Sequence, residues 1–210
     1  MYYIPKWMQM ICIFTKTKNM QLLFCSTNIH KTKEIQHKLG DSFEIKCLND
    51  VGFTGEIAET AKTFEGNALI KALFGYNTYA LPCFSDDSGL EVEALNNEPG
   101  VYSARYAGEL KDDNSNMDKL LLELKGIENR KACFKTVLVY IDKFGKHFVF
   151  EGSVFGKIID KKRGDQGFGY DPLFIPDGYD KTFAEMSIEE KSKLSHRARA
   201  LEKFHSFLVK

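Results

Sequence analysis

The feature that most constrains this chain is the stretch Phe84-Ser85-Asp86-Asp87-Ser88-Gly89-Leu90. The apolar run before it, Ala80-Leu81-Pro82-Cys83-Phe84, reads as a short buried strand that ends in two adjacent carboxylates, a hydroxyl and a glycine. A buried strand that delivers acids to its carboxyl end and then turns sharply is where open α/β sheets keep their chemistry. Paired acid oxygens beside a hydroxyl suit a hard cation such as Mg²⁺. Asp, Ser and Gly are also ordinary turn formers, so these residues alone leave a turn and a site equally open.

Composition narrows the field. The 210 residues carry 29 Lys plus Arg against 29 Asp plus Glu, and this zero net charge gives no electrostatic footprint for duplex nucleic acid or an anionic membrane. No run reaches the length of a transmembrane helix. The five cysteines, Cys12, Cys25, Cys47, Cys83 and Cys133, are irregularly spaced, which fits reduced thiols in a cytoplasmic protein better than a disulfide framework or a zinc site. Residues 1–19 hold an apolar patch around Trp7 to Phe14 without the features of a secretory signal. They read as an extension outside the fold, with Met20 as the native start and 20–210 as a single domain.

Along the chain, Gln21 to Cys25 reads as the first buried strand. A polar loop, Ser26-Thr27-Asn28-Ile29-His30-Lys31, leads into a helical pattern that stops at Gly40. Loop N–H groups, a helix amino end and a lysine converge there as an anion cradle, although a plain strand–helix turn capped by Ser26 or Asn28 accounts for the same residues. Phe43 to Leu48 alternates as a second strand, and Gly52 to Thr63 is a polar loop carrying Glu56 and Glu59. Phe64 to Tyr79 is an amphipathic helix, with Asn67 and Lys71 beside its apolar face and taken as solvated. Glu98 to Gly108 is punctuated by Pro and Gly and reads as an ordered loop; Met117 to Leu124 reads as a short helix. Ala132 to Ile141 and His147 to Lys157 form a hairpin. Gly167-Phe168-Gly169-Tyr170-Asp171 places two aromatic rings and an acid on a glycine-rich loop, a platform for a base or a pair of core plugs. Ser187 to Glu190 is a capping box that opens a closing helix, with Lys191, His196 and Arg197 as donors near its start.

Six blocks in this order resemble the inosine triphosphate pyrophosphatase (Ham1-like) family, which hydrolyses ITP, dITP and XTP. They are Ser26-Thr27-Asn28 with Lys31; Thr63 to Ala68 with Lys71-Ala72; Asp86 to Leu90; Pro99 to Tyr106; Gly167 to Pro172; and Ala184-Glu185 leading to Glu190-Lys191-Ser192 and Ser195-His196-Arg197. The likeness runs from Met20 to the carboxyl terminus. It implies an α/β fold that is elongated and two-lobed, with a long central mixed sheet flanked by helices, a nucleotide cleft and a homodimer. It implies Mg²⁺ as cofactor, with Asp87 as general base and metal ligand and Asp86 supporting the metal site. By the same likeness Ser26, Thr27, Asn28, Ile29, His30, Lys31 and Ser88 are triphosphate contacts. Phe168, Gly169, Tyr170 and Asp171 are the base platform and reader, and Lys191, His196 and Arg197 are donors to the purine carbonyl and phosphate. The chain departs from the family pattern at Thr27, where Gly or Asn is common, and at Ala58-Glu59, where two acids are common. The second metal carboxylate is therefore Glu59 or Glu56. Two rivals remain on sequence alone: a related pyrophosphatase with a different base pocket, and a nucleotide-binding scaffold without turnover.

Overall fold

The computed structural model describes residues 20–40 and 42–210; the extension expected at 1–19 lies outside the described residues. The chain is a mixed α/β fold built on one seven-stranded sheet. Strand β1 (Met20–Phe24) pairs in parallel with β2 (Phe43–Cys47) and with β3 (Cys83–Val92). Beyond β3 the sheet turns antiparallel through β5 (Lys131–Ile141), β6 (His147–Ile158) and β7 (Phe174–Pro176), and the short β4 (Glu98–Pro99) adds to the far end of β3. The long mixed sheet with flanking helices is the architecture expected from the sequence.

Helix α1 (Ile29–Leu39) follows β1, and α2 (Phe64–Tyr79) precedes β3; both are right-sized crossovers for parallel neighbours. Asn28 caps α1 by accepting from the His30 and Lys31 amides, and Thr63 caps α2 by accepting from the Gly66 amide. The closing helix α5 (His196–Leu208) packs with α1 on one face of the sheet, burying Phe24, Ile35, Phe84, Leu138 and Phe204 together. On the opposite face α2 covers Leu23, Cys25, Cys83 and Val139 with Ala68 and Ala72. A third cluster, with Leu90, Phe134, Phe174 and Phe183, fills the far end of the long strands beneath helix α3 (Asp113–Glu123). Among the described residues no helix is long and apolar enough to cross a membrane. The four described cysteines are free thiols.

Three local expectations change. The acid stretch does not turn: β3 runs straight through it, with Asp86, Asp87, Ser88 and Gly89 paired to Leu138, Val137, Thr136 and Lys135 of β5. A continuous partner strand supplies ladder bonds that outweigh the turn preference of these side chains. Glu98 to Arg105 is not loop but β4 followed by a 3₁₀ turn, Gly100–Arg105. That turn packs so tightly on β3 that a side chain at Gly89 would collide with the Gly100 carbonyl and Ser103. The last helical pattern divides into α4 (Ile188–Lys191) and α5, because Ser195 caps a new helix by accepting from the Ala198 amide.

Candidate active site

The site exists because β1 is shorter than β3. The last bond between them runs from the Cys25 amide to the Phe84 carbonyl, so from Ser85 to Leu90, before β4 joins, β3 is paired on one side only, by β5. The chain leaving β1 as Ser26-Thr27-Asn28 lies beside that open edge, and a cleft of about 640 Å³ opens above it. This is the expected position for a ligand site in an open α/β sheet, outside the carboxyl ends of the parallel strands.

Alternation along β3 sends the two acids to opposite faces. Asp87 faces α2, where Asn67 Nδ2 donates to its Oδ2 at 3.1 Å and Lys71 Nζ stands 3.8 Å from its Oδ1. The same ammonium donates to Glu59 Oε1 at 2.5 Å, so Lys71 joins Asp87 to the loop acid. Asp86 faces α5. Its Oδ1 accepts from Lys31 at 3.1 Å, and its Oδ2 accepts from Arg197 Nε at 2.9 Å and from Ser88 Oγ at 3.0 Å. Asp86, expected to support a metal, therefore has both oxygens engaged by cations and a hydroxyl of the protein. Glu56 pairs with Lys111, leaving Glu59 as the acid that shares a cation with Asp87.

The loop after β1 supplies Ser26, Thr27, Asn28 and Lys31 to the cleft wall. Ser26 Oγ accepts from the Asn28 amide at 3.1 Å, which fixes the turn into α1. Ile29 and His30 are exposed and outside the wall, and the His30 ring stacks on Phe168. Ser88 is held by Arg197 Nη2 at 3.0 Å and by Thr136 at 2.8 Å.

At the other end, Asp171 is buried and its Oδ2 accepts from Lys191 at 2.6 Å and from the Phe168 amide at 3.0 Å. That bond orients the Phe168 ring, and Lys191 and Arg197 lie over it at 5.2 and 5.7 Å from its centroid. Gly169 donates its amide to Asp113 at 2.7 Å. Tyr170 is a core residue whose hydroxyl donates to the Ser103 carbonyl at 2.9 Å, so Phe168 alone of the two rings offers a platform. His196 is buried in the wall, stacked on Phe134 at 4.8 Å, and its Nδ1 has no protein partner.

Electrostatics follow from burial and pairing. Burial raises the Asp87 carboxyl above its ordinary range, against the pull of Lys71 and Lys31. Burial pushes Asp86 up too, but Lys31 and Arg197 outweigh it and hold it well below the usual range. Two neighbouring acids are thus shifted in opposite directions by their surroundings. Burial, helped by Arg197, lowers His196 far enough to keep it neutral.

Sequence reasoning missed Asn67 and Lys71, which were read as solvated and are buried around Asp87. Their spacing of four residues beside an apolar face was the available signal. It also missed Glu34, which bridges Lys191 at 2.7 Å and Arg197. Burial raises Glu34, and the two cations overcome it and bring it to about 2.

A cleft of this kind, between an anion loop at a parallel strand end and an aromatic platform backed by buried cations, defines a nucleotide-site α/β protein. The chain belongs to the Ham1 family, whose model matches residues 22–207. A Porphyromonas gingivalis protein named dITP/XTP pyrophosphatase is 51% identical over 190 residues, covering 90% of this chain and 97% of the relative. One of the same name from Flavobacterium psychrophilum is 52% identical over 181 residues, covering 86% and 95%. Among solved structures, the Staphylococcus aureus Ham1 protein superposes with a TM-score of 0.80 at 39% identity, covering 90% of this chain and 97% of that one. A HAM1 protein from Coxiella burnetii gives 0.82 at 34% identity, covering 90% and 98%.

Proposed function

We propose that this protein hydrolyses non-standard purine nucleoside triphosphates, dITP, ITP and XTP, to the monophosphate and pyrophosphate. The observation that carries the reading is the single cleft that joins the Asp87–Lys71–Glu59 group, the Ser26 to Lys31 loop and the Phe168–Asp171–Lys191 platform. The names of the relatives support the same substrate class.

Asp87 and Glu59 already converge on one cation, the Lys71 ammonium, and offer hard carboxylate oxygens in the number Mg²⁺ takes from protein when phosphates and water complete its shell. Among the described residues no group of three or more His, Cys, Asp or Glu gathers to hold a metal. The two acids fit a Mg²⁺ site whose remaining ligands are phosphate oxygens and water. When bound, the ion neutralises charge on the triphosphate and polarises its phosphoryl oxygens.

The chain's own residues do the rest. Asp87, whose carboxylate lines the cleft beside Asn67 and Lys71, accepts a proton from the water that attacks the α-phosphorus. The phosphorus–oxygen bond to the β-phosphate breaks and pyrophosphate leaves. Lys31 and the loop amides of Thr27 and Ile29, the ones not bonded within the loop, bind phosphate oxygens, and Asp86 keeps Lys31 and Arg197 charged and fixed. Phe168 stacks the base. His196, with a ring nitrogen that has no protein partner, and Lys191 present polar groups to the purine edge. A pocket built to donate to a 6-keto group meets an amino group when adenine enters, which leaves buried donors unpaired.

The test is turnover of ITP, XTP, ATP, GTP and dUTP with Mg²⁺, scoring pyrophosphate against orthophosphate. The expected result is pyrophosphate release from ITP and XTP with ATP nearly inert. Equal turnover of ATP would refute the base reading, and orthophosphate as first product would refute attack at the α-phosphorus.

A further inference from the structure

The substrate class proposed above is polyanionic, so the charges lining the cleft can be matched one by one. Nearly every lysine or arginine in the wall is already salt-bridged to a protein carboxylate, from Lys31 on Asp86 to Lys111 on Glu56 and Lys191 on Asp171. Arg105 is different. It lines the cleft, and among the described residues it makes no ion pair. Its one hydrogen bond runs from Nη2 to the backbone carbonyl of Glu59 at a long 3.4 Å, and its guanidinium carbon lies 5.3 Å over the ring of Tyr102. A guanidinium has five N–H donors in a planar fork, and this contact uses one of them.

The backbone under Arg105 is rigid. Ser103 Oγ accepts from the Leu90 amide at 2.9 Å and donates to the Gly100 carbonyl at 2.6 Å, which locks the 3₁₀ turn to β3 just past the acids. Pro99 pairs with Glu91 on the same strand. The half-exposed ring of Tyr102 lies under the guanidinium and occupies none of its N–H donors. The result is a pre-positioned cation on the Glu59 side of the cleft, which, against burial and with Lys71, lowers the Glu59 carboxyl without forming an ion pair with it.

We propose that Arg105 binds the phosphate tail of the substrate, the β- and γ-phosphates that leave as pyrophosphate. Planar bidentate donation to phosphate oxygens is what a guanidinium does best. It makes Arg105 a discriminator between triphosphate substrate and monophosphate product, since the product lacks the group it holds. The inference rests on the nucleotide reading of the cleft but not on the identity of the base.

The experiment measures binding of inorganic tripolyphosphate and of IMP by calorimetry, in Mg²⁺ buffer, to the full chain and to its Arg105→Gln and Arg105→Lys variants. Arg105→Gln should weaken tripolyphosphate about 10- to 100-fold, the range for losing a hydrogen bond to a charged group. IMP should change less than about twofold, and Arg105→Lys should recover part of the loss because the charge returns without the fork. Unchanged tripolyphosphate affinity in Arg105→Gln overturns the proposal, as does a wild-type protein that binds no tripolyphosphate. Equal weakening of both ligands with a lowered melting temperature overturns it in favour of a tether for the Glu59 segment. Because binding is read without turnover, a wild type inert toward every triphosphate would sink the hydrolase reading alone.

Discussion

The imidazole of His30 lies stacked on the ring of Phe168, with centroids 5.3 Å apart and planes 25° from parallel. His30 stands in the first turn of α1 and Phe168 in the loop before Asp171, so the stack ties these two loops together. His30→Ala should raise KM for ITP about two- to tenfold, the range for an aromatic pair, with kcat little changed. His30→Phe should restore it, and the effect should vanish in a Phe168→Ala background. Steady-state kinetics on the four variants checks this; additive effects would mean the stack does not couple the two loops.

Asp87→Asn keeps an oxygen for Asn67 to donate to while removing the base. We expect kcat to fall at least about 100-fold, in line with loss of a general base. IMP binding, read by calorimetry, should survive. A variant with wild-type kcat would show that another group takes the proton.

Lys71 is the cation that pairs directly with both Asp87 and Glu59. Lys71→Met should lower stability by about 3–5 kcal/mol, the cost of breaking a buried pair. Added Mg²⁺ should raise the variant's melting temperature more than the wild type's, because the ion then replaces the ammonium. A melting temperature indifferent to Mg²⁺ would argue that Asp87 and Glu59 are not a metal pair.

Glu34 makes acid stability readable. Its carboxyl sits at about 2 in the folded protein against 4.5 as the ordinary value. A depressed acid contributes stability that is complete above its unfolded pKa and is lost as pH falls through the folded one. The window is therefore about pH 4.5 down to 2, and the contribution is about 3 kcal/mol from the size of the shift. Glu34→Gln should flatten the fall of unfolding free energy across that window in denaturant melts. An unchanged slope would assign the acid sensitivity elsewhere.

Most elements were legible before any coordinates. The helix at Phe64 to Tyr79 and the hairpin around Asp142 to Lys146 follow from apolar period and turn residues, which act locally. The order of six blocks pointed to the family whose model matches residues 22–207. What failed was context. Asp86 to Gly89 carries turn residues, yet β5 keeps it in a strand. Asn67 and Lys71 look solvated on a helical wheel, yet β3 buries them.

The sequence by itself determined which residues could carry chemistry and in what local conformation they begin, because hydrophobic period, caps and glycines are short-range properties. Only the tertiary structure decided what each of them does. It stopped β1 short of the acids and so opened the cleft, and it turned adjacent Asp86 and Asp87 to opposite faces of one strand. One became a buried counter-ion and the other a carboxyl that burial shifts upward. The physical reason is that pKa and reach depend on neighbours brought from far along the chain, such as Lys31, Lys71 and Arg197, and no local pattern records their approach.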